Sequence, residues 1–140
     1  MDRTFLVVKP HVVRDAASGE VLAMVERAGF TIVGVAMRRR TREEAGVLYD
    51  VHRGKPFFEG LVELICSGPS IAVMLEAPDA IASLRRLVGS TDPADAAPGT
   101  IRARFGKDKS RNAVHASDAP ERVAHESAVY FGDCRRTLMP

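Results

Sequence analysis

The sequence predicts an α+β sandwich, with an antiparallel sheet covered by helices. Three observations carry the prediction: short β-branched and apolar runs at residues 4–9, 30–37 and 71–75, stretches of helical apolar spacing between them, and turn residues at the junctions. The chain has 140 residues, 46% apolar and 27% charged, which suits one soluble domain with a normal core, so residues 1–140 are expected to form a single domain.

The elements follow in order. Residues 4–9 form an apolar run closed by Pro10, as in a buried strand that opens into a loop. Ser18 offers an N-cap to a helix with Val21, Leu22, Val25 and Ala28 on one face, and Gly29 stops it. A second strand follows at residues 30–37. Thr41 and Glu44 then make a capping box for a helix reaching about His52, with Leu48, Tyr49 and His52 around one side. Pro56 opens another helix, with Phe57, Leu61, Leu64 and Ile65 at helical spacing until Ser67-Gly68-Pro69.

Residues 71–75 predict a third, buried strand. Asp79 begins a helix that turns Ile81, Leu84 and Leu87 or Val88 inward and carries Arg85 in its last turns before Gly89. Residues 90–100 are rich in Pro, Ala and Gly and lack periodicity. A loop of that length in a small domain is more often functional than filler. Asp118 with Glu121 predicts a second capping box and Pro120 a first helical turn, so a short helix is expected to lead into a final strand at residues 127–131. With an inserted helical pair, this is the βαββαβ order of a ferredoxin-like sandwich, and residues 132–140 are expected to form a C-terminal tail.

Several function classes find little support. The longest apolar runs are too short to span a bilayer and the N-terminus carries no secretory pattern, so a cytoplasmic location and no membrane partner are expected. Cys66 and Cys134 lack metal-ligand spacing and read as reduced thiols. No histidine pair has the i, i+4 spacing of a helical zinc site, and no protein-held metal is expected. His52 reads as a partly buried histidine, His125 as exposed, and His11 as able to approach a site. The net charge of +2 argues against nucleic acid as a partner, and Arg38-Arg39-Arg40 with Arg42 reads as a solvated strand end.

The candidate chemistry is phosphate chemistry at a histidine. Asn112-Ala113-Val114-His115-Ala116-Ser117-Asp118 sets an imidazole among small side chains with amide, hydroxyl and carboxylate neighbours. Such a ring is largely neutral near pH 7 and can accept a transferred group without a metal to activate it. On those residues alone a surface histidine in a turn is an equal alternative. Basic residues spaced singly at Lys9, Arg85, Arg102, Arg104 and Arg111 suit convergence on one small polyanion. Neither a P-loop nor a GxGxxG motif is present, so a nucleotide's phosphates would have to be held by side chains, for which Lys9, Arg85 and Arg102 are suited. Of Phe57 and Phe58 at a helix start, one ring can pack inward while the other stacks on a base.

Together these motifs resemble the nucleoside diphosphate kinase family over residues 3–132. The resemblance rests on Thr4-Phe5-Leu6-Val7-Val8-Lys9-Pro10, Tyr49 with His52, Lys55-Pro56-Phe57-Phe58, Ser67-Gly68-Pro69, Gly89-Ser90-Thr91-Asp92-Pro93, Pro98-Gly99-Thr100-Ile101-Arg102 and residues 112–118. It implies a ferredoxin-like subunit that exchanges terminal phosphate between nucleoside triphosphates and diphosphates by a ping-pong route through a phosphohistidine. His115 matches the nucleophile, Glu126 the carboxylate bonded to its ring and Ser117 the nearby hydroxyl. Arg85, Thr91 and Arg102 match phosphate ligands, with Tyr49 beside them. Lys9 and Asn112 match residues reaching the ribose hydroxyls and terminal phosphate, and Phe57 matches the base-stacking ring. Magnesium is implied to arrive on the nucleotide. A homo-oligomer is implied as well, tetramer or hexamer, with residues 90–99 near subunit contacts. The rival reading is a non-catalytic nucleotide-sensing module of the same fold. The chain departs from the family pattern at His11 and Val12, where Asp-Gly is usual, at Lys109, where an apolar residue is common, and at Ala116, where glycine is commoner.

Overall fold

The computed structural model describes residues 2–132. Cys134 and the expected tail lie outside the described residues. Four strands, β1 (Asp2–Val8), β2 (Thr31–Arg39), β3 (Pro69–Ala77) and β4 (Val114–Ala116), form one antiparallel sheet in the order β2-β3-β1-β4. This is the ferredoxin-like arrangement, with β3 lying between β1 and β2, and β1 between β3 and β4. Seven helices accompany the sheet among the described residues: α1 (Pro10–Arg14), α2 (Ser18–Arg27), α3 (Arg42–Leu48), α4 (Phe58–Cys66), α5 (Ala80–Val88), α6 (Ile101–Phe105) and α7 (Pro120–Phe131).

The central strands are apolar on both faces because both faces are covered. Leu6 and Val8 of β1 pack with Val21, Val25, Leu84, Val88 and Ile101 from α2, α5 and α6. Phe5 and Val7 point the opposite way, onto Ala45, Leu48, Val62, Ile65 and Val123 from α3, α4 and α7. A strand has period two, so a strand buried on both sides reads as an unbroken apolar run. The phenol of Tyr130 satisfies its polar atom on that second face through Ser70 Oγ at 2.6 Å.

Several local expectations hold. The Thr41 and Glu44 capping box is present, with Thr41 accepting from the Glu44 N–H and Glu44 accepting from the Thr41 N–H. Gly89 ends α5 with φ +90°. A Cβ there would also lie 2.7 Å from Thr100 Oγ1 and 2.8 Å from Thr100 Cβ, so glycine is required on two counts.

Others are corrected. No strand forms at residues 127–131, because α7 runs on through them. Val123, Glu126 and Tyr130 turn inward at helical spacing, and the sheet's fourth strand is the three-residue β4 instead. The second capping box does not form, since Ala119 is the N-cap and makes no side-chain bond, although Pro120 opens the helix as expected. Ser18 is the first residue of α2 rather than its cap. The helix after Thr41 stops at Leu48 and a 3₁₀ turn covers Asp50–His52. The following helix begins at Phe58, so Phe57 is its N-cap. Two five-residue helices were not expected: α1, opened by Pro10, and α6, where Thr100 Oγ1 accepts from the Ala103 N–H. Arg40 is buried rather than solvated. It stacks on Tyr130, donates to Val129 O and pairs with Glu44.

Gly89→Ala is expected to cost roughly 2 kcal/mol, combining an unfavourable φ with the Thr100 clash, and to lower the melting temperature by about 8 °C. Thermal unfolding followed by circular dichroism checks this; an unchanged midpoint would sink it.

Candidate active site

β4 pairs with β1 through Val114 with Val8, His115 with Val7 and Ala116 with Leu6. Val114 and Ala116 enter one core, so His115 faces the other side, at a cleft of about 390 Å³. Just before it the backbone is strained. Ala113 has φ +74°, and the Val114 N–H donates to Asn112 O at 2.9 Å, closing a γ-turn. The turn is held from both sides by the chain after β1. The Lys9 N–H donates to Ala113 O at 2.9 Å, and the Ala113 N–H donates to His11 Nε2 at 3.0 Å.

His11 is therefore an acceptor in the wall, not a group in the cleft. That role requires a neutral ring with Nε2 bare. Burial, helped by Lys107 and Lys9 and opposed by Asp15, pulls its pKa down to about 4. Where the family pattern has Asp, this chain's neutral imidazole supplies the acceptor for the Ala113 N–H.

His115 Nε2 lies 2.6 Å from Glu126 Oε1. An ionised carboxylate only accepts, so Nε2 carries the proton and Nδ1 holds the free lone pair. Ser117 Oγ donates to the same carboxylate oxygen at 2.6 Å, and Arg122 Nε donates to Oε2 at 2.8 Å. Burial alone would push the Glu126 carboxyl up. The bonds from His115, Ser117 and Arg122 outweigh it and hold the group at about 2. The Tyr49 ring meets the imidazole edge-on, with centroids 5.7 Å apart, and burial pushes its phenol up.

Cations line the facing wall. Lys9 Nζ donates to Asn112 Oδ1 at 2.7 Å and to Ser110 O at 3.1 Å. Burial, reinforced by the Arg102 charge and opposed by Asp108, lowers its pKa to about 7. Arg102 is buried and tied to backbone carbonyls, through Nε to Asn112 O, Nη1 to Gly89 O and Nη2 to Val114 O, at 2.9 to 3.2 Å. Burial, and then Arg85, bring its pKa down to about 10. Arg85 Nη1 donates to Ala116 O at 3.3 Å. Asn112 Nδ2 donates to Thr91 O at 3.0 Å and so draws the loop after α5 to the site.

The residues matched to nucleophile, partner, phosphate, ribose and base are brought to this place, but Arg104 and Arg111 do not converge on it: Arg104 pairs with Glu20 and Arg111 with Asp108 at the surface, away from the cleft. Lys9, Tyr49, Phe57, Arg85, Thr91, Arg102, Asn112 and His115 line the cleft, while Ser117 and Glu126 stand behind the imidazole. Phe57 is the exposed ring of the aromatic pair and Phe58 the buried one. His52 belongs to the cleft too, its ring edge-on to Phe57 at 5.2 Å. Lys109, Ser110 and Asp118 complete the walls. Arg122 escaped the sequence reading, though its position four residues before Glu126 marks it once both lie on one helix. His125 is exposed and bonded to Asp50. Among the described residues no group of three or more His, Cys, Asp or Glu is placed to hold a metal ion.

A model of the family "Nucleoside diphosphate kinase" matches residues 2–135. The nucleoside diphosphate kinase of Ignicoccus hospitalis is 46% identical over 133 residues, covering 95% of this chain and 90% of that one. Among solved structures, the Aquifex aeolicus nucleoside diphosphate kinase superposes with a TM-score of 0.88 at 45% identity, covering 91% of this chain and 93% of the other. The Halobacterium salinarum nucleoside diphosphate kinase, solved in complex with CDP, gives 0.89 at 41%, covering 95% and 89%. With matching fold, length and sequence, the chain belongs to the nucleoside diphosphate kinase family.

Proposed function

We propose that His115 is the nucleophile through which this nucleoside diphosphate kinase carries the γ-phosphate of a nucleoside triphosphate to a nucleoside diphosphate. One observation carries the reading: the Glu126 bond occupies Nε2 and leaves Nδ1 bare toward a cleft walled by Lys9, Arg85 and Arg102. The Nδ1 lone pair forms the P–N bond as the bond from phosphorus to the β-phosphate oxygen breaks. The diphosphate leaves, and a second diphosphate reverses the step. As Nδ1 bonds to phosphorus the ring gains positive charge, and the Glu126 carboxylate stabilises it through the shared Nε2–H. Ser117 holds that carboxylate in place.

The cationic wall supplies what phosphoryl transfer asks of a protein, which is position and charge around the equatorial oxygens. Arg85, Arg102 and Thr91 take the phosphates, Lys9 and Asn112 the ribose hydroxyls and terminal phosphate, and Phe57 stacks on the base beside Tyr49. The Halobacterium relative's CDP complex supports a nucleotide in this cleft. The donor set around the cleft is cationic and amide, with Asp118 the carboxylate in its lining. It therefore fits magnesium carried on the nucleotide's phosphate oxygens, where the ion would neutralise phosphate charge, rather than in a protein cage.

We further infer a single domain that assembles into a tetramer or hexamer of identical subunits in the cytoplasm. Edge strand β2 supports the assembly, because it leaves Val35 and Met37 more than half exposed, at 55% and 54%. Among the described residues no helix is long and apolar enough to cross a membrane. Arg40 turns inward, which thins the basic run that would attract nucleic acid.

Incubation with magnesium and γ-labelled ATP is expected to leave acid-labile label on His115, and added GDP is expected to discharge it into GTP. His115→Gln is expected to lose at least about 10³-fold in turnover. ATP binding without label would instead favour the nucleotide-sensing reading.

The Lys9 ammonium yields a linkage prediction. Its pKa of about 7 in the free protein leaves it mostly neutral at about pH 8, where nucleotide phosphates are fully ionised. Bound phosphates raise it, so binding takes up protons at that pH and much less below the free-protein value. Calorimetry in two buffers of different ionisation enthalpy measures the uptake; zero uptake would contradict the assignment.

Phe57→Ala removes the stacking surface without touching a base edge. Its KM is expected to rise about 5- to 20-fold for purine and pyrimidine diphosphates alike. A rise confined to one base class would show that edges are read.

A further inference from the structure

The Arg122 guanidinium sits between two carboxylates and is used by neither the cleft nor the core. Its Nε donates to Glu126 Oε2 at 2.8 Å, and its Nη2 pairs with Asp50 Oδ1 at 2.9 Å. The second Asp50 oxygen lies 2.8 Å from His125 Nε2. Arg122 is 16% exposed and Glu126 4%, so the Arg122–Glu126 contact is shielded from the solvent that weakens surface ion pairs.

We propose that Arg122 is a positioning residue for phosphoryl transfer: it fixes the Glu126 carboxylate against the His115 ring and ties it, through Asp50, to the turn at the lip of the cleft. The proposal rests on His115 being the phosphate acceptor and Glu126 its partner.

The chemistry follows from how the carboxylate is shared. Glu126 Oε1 takes both the His115 ring and Ser117, while Arg122 is the side-chain donor on Oε2. Without Arg122 that oxygen would be buried with no side-chain partner, and the group would rotate or take a proton. Rotation draws Oε1 away from Nε2, and protonation turns it into a weaker, neutral acceptor; each frees the ring to exchange tautomers, so fewer rings present a bare Nδ1. The charged and titratable groups around Glu126 are His115 from β4, Arg122 from α7 and Tyr49 at the end of α3; Asp50 and His125 lie beyond Arg122, and His52 and Asp118 lie near the same His115–Arg122 cluster from the cleft.

The lip is the other end of this linkage. Asp50 opens the Asp50–His52 turn, and His52 packs edge-on against Phe57. One guanidinium thus connects the wall that faces the base with the carboxylate that orients the nucleophile.

The full chain with Arg122→Met, Arg122→Lys and Asp50→Asn tests this. The readouts are the single-turnover rate of His115 labelling by γ-labelled ATP from neutral to acid pH, and the His115 tautomer by ring-nitrogen NMR. Arg122→Met is expected to label about 10-fold more slowly and to show mixed tautomers. Its acid limb should begin at higher pH, because the Glu126 carboxyl, now held at about 2, titrates higher without the guanidinium. Arg122→Lys recovers part of the rate. Asp50→Asn, which leaves Arg122 in place and removes its anchoring charge, shifts both readouts the same way by less and raises KM. Wild-type rate and tautomer in Arg122→Met, even with a lowered melting temperature, would reduce Arg122 to a structural bridge and overturn the proposal. If Arg122→Met does not fold, wild-type values in Asp50→Asn overturn it. If the wild-type protein takes no label, the His115 reading falls and this inference with it.

Discussion

The site depends on the attachment of residues 112–114 to the chain leaving β1. A three-residue strand preceded by a positive-φ alanine cannot hold its own conformation. It is held by β1 along its length, by the Lys9 N–H and the His11 ring at the γ-turn, and by Arg102, which takes Asn112 O and Val114 O on either side of the turn. Strand alternation then turns Val114 and Ala116 into one core and His115 to the opposite face, at the cleft. The same contacts gather the cations, since Lys9 and Arg102 become buried by serving the turn. The scaffold and the cationic wall share Lys9 and Arg102.

That economy has an electrostatic consequence. Burial pulls both Lys9 and Arg102 below their ordinary values, and charge repulsion adds to it, from Arg102 on Lys9 and from Arg85 on Arg102. A polyphosphate relieves that repulsion when it enters. Glu126, the balancing anion, is kept behind the imidazole and neutralised by its own donors, so it does not cancel the positive wall. The carboxylate thus meets the ring at Nε2 while the cations line the cleft that the ring faces.

How far the sequence revealed this differs by element. β1, β3, the Thr41 cap and the glycine stop at Gly89 were legible because each is decided locally, by an apolar run, a side-chain bond or a backbone angle. β4 was not, because three residues amid small polar neighbours have no period to detect, and their pairing is dictated by β1 more than a hundred positions away. The end of α7 misled for the opposite reason. Val129, Tyr130 and Phe131 favour a strand by propensity, but Tyr130 reaches Ser70 and the second core only from a helix. His115, Lys9, Arg85 and Arg102 carried chemical signals of their own. Ser117 stood out as a hydroxyl near the ring, but its role and the whole of Glu126 came from the family resemblance, since nothing local shows that a carboxylate eleven residues on turns back to the ring. His52 is partly buried, as its place beside Leu48 and Tyr49 suggests, but the break into a 3₁₀ turn sets it at the cleft.

His11 and Ala116 are taken up into the wall and the core, whereas Lys109 stays in the cleft lining. His11 supplies an acceptor for one N–H, and Ala116 adds a methyl that packs into the core beneath β4. Lys109 lies in the cleft wall and is exposed, so its ammonium adds a cation to a surface that already holds three. A lysine stem is apolar and its head stays in water, so an exposed lysine in this wall sets a charge at its rim. Charge at a rim acts on encounter more than on the bound state, because it is solvated and screened. The consequence of the substitution belongs to how fast polyanions arrive, and the chemistry at His115 is left to the buried residues.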